Sequence, residues 1–164
     1  MKNILYLVFS LFLLSACSPV SEYESYYNEA QTQIKEKGTF RYGQKHGTWK
    51  DFAPNGDLSC QKEFLNGKET GVRKDYVGQQ LILETEYMDD QIHGMSRQYD
   101  TNGKLLYVHQ YRKGKLHGTS IAYDYSFKDS ILSKKQYDNG LLVEELRYDE
   151  MGELIYSKSH TGEE

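Results

Sequence analysis

The chain has 164 residues, a formal net charge of −4 and 13% aromatic residues, with a mean hydropathy of −0.76. That length holds one domain, and the acidic balance excludes nucleic acid as a natural partner, since phosphate binding needs clustered Lys and Arg. Fifteen Tyr against one Trp and two Pro favour half-exposed sheet faces over a sealed core, because a tyrosine ring packs while its hydroxyl prefers water.

Residues 1–16 read as a signal peptide and are left out of the fold. Lys2 supplies the positive end and Ile4 to Leu14 the apolar run, shorter than the roughly 20 residues that a bilayer-spanning helix needs. The run ends in Leu14-Ser15-Ala16-Cys17, which resembles the bacterial lipobox. The resemblance implies cleavage before Cys17, a thioether-linked diacylglycerol on its sulfur and an amide-linked acyl chain such as palmitate on its nitrogen. Each buried methylene contributes about 0.8 kcal/mol, so two or three chains on one residue hold a protein that one chain holds only marginally. Cys17 is therefore the expected lipidation site, residues 17–21 the tether and the cell envelope the expected location. In a Gram-negative cell, Ser18 resembles the class sorted to the outer membrane, since Asp at that place marks inner-membrane retention. An ordinary signal peptide that happens to hold a cysteine is the competing reading. Cys60 is then the one remaining thiol, unable to form an internal disulfide and suited to a small apolar place on a strand.

Tyr23, Tyr26, Tyr27, Ala30 and Ile34 fall at i, i+3, i+4, i+7 and i+11, one stripe of an α-helix. Ser21 and Glu24 make a capping box, and Gly38 follows Lys35 and Lys37 as a left-handed stop. The spacing predicts an amphipathic helix within 22–37 that covers the first edge of the following sheet, because bare strand edges invite pairing. A disordered spacer is the alternative.

From 38 to 157 the chain repeats itself. Gly47, Gly71, Gly94 and Gly118 are separated by 24, 23 and 24 residues; His46, His93 and His117 precede three of them and Thr70 the other. Phe52, Tyr76, Tyr99 and Tyr123 follow these glycines by five residues, and Phe40, Phe64, Tyr87 and Tyr111 precede them by seven. Two markers keeping one period mean a repeat architecture. Each unit reads as aromatic, turn, glycine, strand, second turn and return strand. The first turn carries Gly43, Asn66-Gly67, Asp90, Gly114 and Asn139-Gly140; Asn-Gly suits a two-residue hairpin whose central positions both need positive φ. The second carries Gly56, Gly78, Gly103, the segment 126–129 and Gly152. The fifth unit, Tyr137 to Tyr156, keeps Tyr148 but loses His-Gly, as the terminal cap of a stack does. Residues 158–164 are expected to be a disordered tail.

Alternate residues from each glycine put Thr48, Lys50 and Phe52 on one face with their counterparts through Thr119, Ile121 and Tyr123. Leu58, Leu81, Leu105 and Ile131 open the same face on the return strands, and Phe64, Tyr87, Tyr111 and Tyr137 are expected to close it. Matching rings of successive units are expected to touch, leaving a second face that is polar apart from Trp49, Ile82 and Leu106. One modestly apolar face implies an all-β fold: an elongated, single-layer antiparallel sheet of consecutive β-hairpins, about ten strands at about 4.8 Å each. Trp49, Tyr76, Tyr99, Tyr107 and Tyr123 are the expected partner-binding surface.

Units such as Gly114-Lys115-Leu116-His117-Gly118-Thr119-Ser120-Ile121-Ala122-Tyr123 resemble MORN-type repeats. The bacterial variant with the pattern G-x-x-x-G-x-W/x-x-x-Y followed by N-G-K-L, found in the YwqK-type antitoxin family, is the nearest in form. The resemblance spans Phe40 to about Tyr156, with Trp49 alone keeping the tryptophan. It implies stacked hairpins defined by Gly47, Gly71, Gly94 and Gly118 and by Phe52, Tyr76, Tyr99, Tyr123 and Tyr148. The family name implies an antitoxin, here one directed at a periplasmic or surface toxin because of the leader.

His46, His93 and His117 invite a metal reading, but Thr70 interrupts their row and no other ligand types flank them. No Ser-His-Asp, Cys-His or paired-carboxylate arrangement stands out, and no helix start follows the glycines to cradle phosphate. The expectation is a non-catalytic protein with no metal, no cofactor beyond its lipid and no small-molecule substrate. Its function reads as a membrane-anchored envelope lipoprotein whose aromatic-lined sheet binds another protein. An immunity-type inhibitor and a structural spacer are the alternatives.

Overall fold

The computed structural model describes residues 19–126 and 130–160. The stretch expected as a leader, the expected lipidation site Cys17 and most of the expected tail lie outside these residues. Strands β1 (Val20–Tyr26) and β2 (Ile34–Arg41) form the first hairpin, followed by β3 (Gln44–Phe52) and β4 (Leu58–Leu65). Next come β5 (Lys68–Val77), β6 (Gln80–Met88), β7 (Gln91–Tyr99) and β8 (Leu105–Arg112). A two-residue β9 (Lys115–Leu116) runs into β10 (Gly118–Tyr123), and β11 (Ile131–Asp138), β12 (Leu141–Tyr148) and β13 (Leu154–Ser159) complete the series. All thirteen lie in one open antiparallel sheet in chain order, with β9 and β10 sharing the edge of β8. The substantial contacts run between hydrogen-bonded neighbours, and β1 and β13 are the two edges.

Local chemistry sets the hairpins. Each of the five first turns has positive φ at both central positions, as at Asn66 (51°) and Gly67 (82°), and even at Asp89 (50°) and Asp90 (66°), where no glycine is present. That backbone twist matches the twist of the flanking strands. The turns also bond sideways: Gly67 N donates to Lys45 O at 2.8 Å, Gly114 N to Ile92 O at 2.8 Å and Gly140 N to Leu116 O at 2.7 Å.

Register shifts twice per unit. At each His-Gly or Thr-Gly step the glycine-bearing strand holds two extra residues: Thr39 faces His46 while Lys37 faces Lys50, and Glu63 faces Thr70 while Gln61 faces Lys74. The glycine there takes a left-handed φ, +70° at Gly47 and +108° at Gly94, which a side chain strongly disfavours. The last hairpin, without His-Gly, shifts by a single residue between Gln136 and Tyr137. At the second turn every return strand carries one extra residue: Asp51 faces Cys60 but Phe52 faces Leu58. Side chains alternate with period two, so one extra residue turns everything beyond it to the other face. Phe52 and Leu58 share a face, as expected. Phe64, Tyr87, Tyr111 and Tyr137 lie on the opposite face, with Trp49, and not with Phe52. Trp49 accordingly is no isolated exception on a polar face. Of the seven buried residues among those described, six (Trp49, Cys60, Thr85, Ser96, Ser120 and Glu145) lie on that face and Val108 on the Phe52 face.

The segment expected as a helix forms β1, a turn over 27–33 and the start of β2. Tyr23 lies opposite Gly38, and its ring meets Phe40 at 5.4 Å and Trp49 at 5.5 Å. Pairing with β2 satisfies a row of backbone groups that a helix laid across the edge would leave open. Gly38 is no helix stop: a Cβ there would lie 2.2 Å from Trp49 Cδ2, so the missing side chain makes room for the indole. The longer turn docks on the next hairpin, where Tyr27 OH donates to Phe52 O at 2.8 Å and Gln33 Nε2 to Pro54 O. At the other end β13 continues through Ser159, so the tail expected from 158 starts within a strand.

Candidate functional site

The Trp49 face is packed at one end and charged along its middle. Trp49 is 1% exposed and donates from Nε1 to Thr39 O at 3.1 Å. Phe40 and Phe64 meet it edge-on at 5.0 and 6.1 Å. The Lys45 ammonium sits 3.8 Å from the indole centroid while pairing with Glu36 at 2.5 Å. Trp49, expected on a partner-binding surface, is thus enclosed by its own neighbours.

Beyond it, Lys62 pairs with Asp51 at 2.6 Å and Arg73 with Asp75 at 2.8 Å. Cys60, 6% exposed, lies beside them. Burial, helped by hydrogen bonding with Asp75, pushes its thiol up to about 12, so it is no nucleophile at neutral pH. Burial also raises the Glu69 carboxyl. Farther along, Thr85 Oγ1 and Ser96 Oγ satisfy each other at 3.1 Å. Glu145 closes the row, accepting from Arg147 Nε at 2.9 Å and pairing with Lys135 at 3.4 Å; the Arg147 bond is the main cause of its lowered carboxyl.

The other face carries Phe52, Tyr76, Tyr99, Tyr123 and Tyr148, all half-buried, at matching places along one margin. Matching rings stand two strands apart, roughly 9–10 Å between backbones, and without a glycine between them, as Gly38 stands between Tyr23 and Trp49, they do not make the contact expected of them. Among the described residues, ring pairs occur on the Trp49 face: around Trp49 itself, and in the Tyr107–His109–Tyr111 series at 6.0 and 6.3 Å. The gaps between the margin rings hold long polar side chains. Lys37 lies over Phe52 at 5.5 Å and Lys134 over Tyr148 at 5.7 Å, each a cation–π contact. Tyr99 OH donates to Glu84 at 2.9 Å, and Lys74 reaches the same carboxylate at 3.5 Å.

The expected partner-binding set therefore splits. Tyr76, Tyr99 and Tyr123 stand together; Tyr107 shares the opposite face with the buried Trp49. His46, His93 and His117 sit one per bulge, and His117 Nδ1 lies 3.1 Å from Asp138 Oδ1. Among the described residues, no three His, Cys, Asp or Glu side chains gather as metal ligands would.

One feature escapes a reading of the sequence: a concavity of about 250 Å³ on the Trp49 face, floored by Ser120, Ala122 and Ser133 and walled by Tyr107, His109, Lys135 and Tyr137. Small residues at corresponding places on adjacent strands are its only signal, visible once the bulges are placed. No protein-family model matches the chain, and no curated protein matches it with significant similarity.

Proposed function

We propose that this chain is a non-catalytic cell-envelope lipoprotein, held to the membrane by lipid on Cys17, that presents a sheet of MORN-type hairpins to another protein. The row of half-buried rings from Phe52 to Tyr148 on one margin is the observation that carries this reading. Rigid aromatic side chains supply contact area at low entropic cost, and the lysines between them suit a polar rim. The Leu14-Ser15-Ala16-Cys17 run supports the anchor, and the repeated turns and bulge glycines support the repeat type.

A photoreactive residue placed in living cells at Val72, exposed on the Tyr76 face, is expected to yield one discrete protein adduct. The same residue at Gln98, on the Trp49 face, is expected to yield none. Equal yields from both faces, or none from either, would remove the ring row as the docking surface. In parallel, Cys17→Ser is expected to release the chain from the membrane fraction and to abolish labelling by a palmitate analogue; retention on membranes would refute the lipid anchor.

A further inference from the structure

The concavity between β8, β10 and β11 arises from a coincidence of register. Ser120 faces Lys135 and Ala122 faces Ser133, while Ala122 faces Tyr107 on its other side. The corresponding three places hold Trp49, Asp51 and Cys60 in the first unit, Arg73, Asp75 and Leu83 in the second, and Ser96, Gln98 and Tyr107 in the third. Each of those sets contains at least one large side chain; Ser120, Ala122 and Ser133 contain none.

Two polar atoms are enclosed here without a partner: Ser120 Oγ, in a residue 6% exposed, and His109 Nδ1. A buried hydroxyl left unpaired costs about 1–3 kcal/mol, and the neighbouring Thr85 and Ser96 avoid that cost by bonding each other. The charge nearby is already matched, because Lys135 pairs with Glu145, which also holds Arg147. Burial lowers the His109 imidazole, which keeps it neutral at pH 7. Tyr107, 41% exposed, offers a ring parallel to the His109 imidazole, with centroids 6.0 Å apart and planes 8° apart.

We propose that this concavity binds a neutral, polyhydroxylated ring of pyranose size, with an apolar ring face against Tyr107 and hydroxyls that reach the enclosed Ser120 Oγ and His109 Nδ1 as the side chains over them move aside. A hydroxyl both donates and accepts, so it can satisfy a serine and a neutral imidazole together. A carboxylate finds no unmatched cation here, and an apolar ligand leaves Ser120 unpaired. At about 30 Å³ per water, a volume of about 250 Å³ holds one sugar ring, and its open side lets an attached glycan run along the sheet. Binding takes place without turnover, and it is independent of the docking role of the opposite face.

The test is a titration of the full chain with methyl β-glucopyranoside, N-acetylglucosamine and sodium benzoate, followed by NMR at the His109 ring and the Ser120 amide. At least one neutral sugar is expected to shift both signals with a Kd on the order of 1 mM, leaving the Trp49 indole signal in place. Ser120→Leu, which fills the floor, is expected to weaken that binding tenfold or more. If Ser120→Leu also moves the Trp49 signal, Tyr107→Ala replaces it as the test, with the same loss expected. The proposal is overturned if neither sugar shifts the two signals, if benzoate binds more tightly than both, or if the decisive variant binds as the parent does.

Discussion

The two ends of the sheet are built from the same hairpin and filled in opposite ways. In β1 to β4 the central place goes to Trp49, sealed by Tyr23, Phe40, Phe64 and the Lys45 ammonium. In β10 to β13 the matching places go to Ser120 and Glu145, and every residue of β13 is exposed, Ile155 at 65%. The two-residue turns at both ends share the same positive-φ geometry, and antiparallel pairing runs through both, with a bulge of two extra residues at β2–β3 and of one at β11–β12. The difference therefore lies in the side-chain rows: the backbone makes the sheet, and the rows decide where it is tight and where it is open. The substantial contacts run between neighbouring strands, so stability is expected to be local and not shared evenly along the molecule.

The largest effect is expected at Trp49. Trp49→Ala removes a fully enclosed indole, and a loss of about 3–5 kcal/mol is expected from urea unfolding; a loss below about 1 kcal/mol would erase the contrast between the ends. Ser120→Ala, at the matching place, is expected to cost nothing and to raise stability by up to about 1–3 kcal/mol, because the buried hydroxyl it removes has no partner.

Two glycine substitutions sharpen the reason for the tight end. Gly38→Ala drives a methyl into the Trp49 ring and is expected to cost about 1–3 kcal/mol and to shift the tryptophan emission. Gly47→Ala meets nothing within 4 Å but forces an alanine to φ +70°, costing roughly 1–2 kcal/mol with the emission unchanged. An emission shift in the second variant would mean that the bulge and the indole are mechanically coupled.

Cys60 adds a pH dependence to the tight end. Its thiol ionises near 9.0 when exposed and at about 12 in the fold, so above about pH 9 the unfolded chain holds fewer protons than the folded one. The Cys60 contribution is thus complete below about pH 9 and is lost as pH rises toward 12. Chemical unfolding at pH 8 and pH 10.5 is expected to show a steeper alkaline loss in the parent than in Cys60→Ala; parallel losses would count against burial of the thiol. The smallest effect is expected at the open end, where Ile155→Ser should stay within about 0.5 kcal/mol and the β13 amides should exchange with solvent before those of β3 and β4.

The repeat and its turns were legible because their chemistry is local. Asn66-Gly67 and Asn139-Gly140 state a turn type by themselves, and the glycine of each His-Gly step marks a bulge. The phase slip at the second turn was not legible: nothing about Ser59 distinguishes an extra residue from an ordinary one, and that slip moved Phe64 and its counterparts across the sheet. A tyrosine stripe at helical spacing masks the first hairpin, although a second signal points to it. Ile34 precedes Phe40 by six residues, as Leu58 precedes Phe64, Leu81 precedes Tyr87 and Leu105 precedes Tyr111. Local periodicity could not weigh the bonds to β2 and the room above Gly38, which exist only once Trp49 is in place. The concavity was hidden for the same reason, since Ser120, Ala122 and Ser133 meet only after both slips are counted.

A sheet whose substantial contacts reach no farther than the adjoining strand has no shortcut between its edges. Whatever happens at β1 can influence β13 only by passing through all the strands between, and the turn-to-turn bonds follow that same route. The molecule thus resembles a ruler more than a globule. Its reach is set by how many graduations of 23 or 24 residues it carries, and a partner laid along it would read distance as well as chemistry.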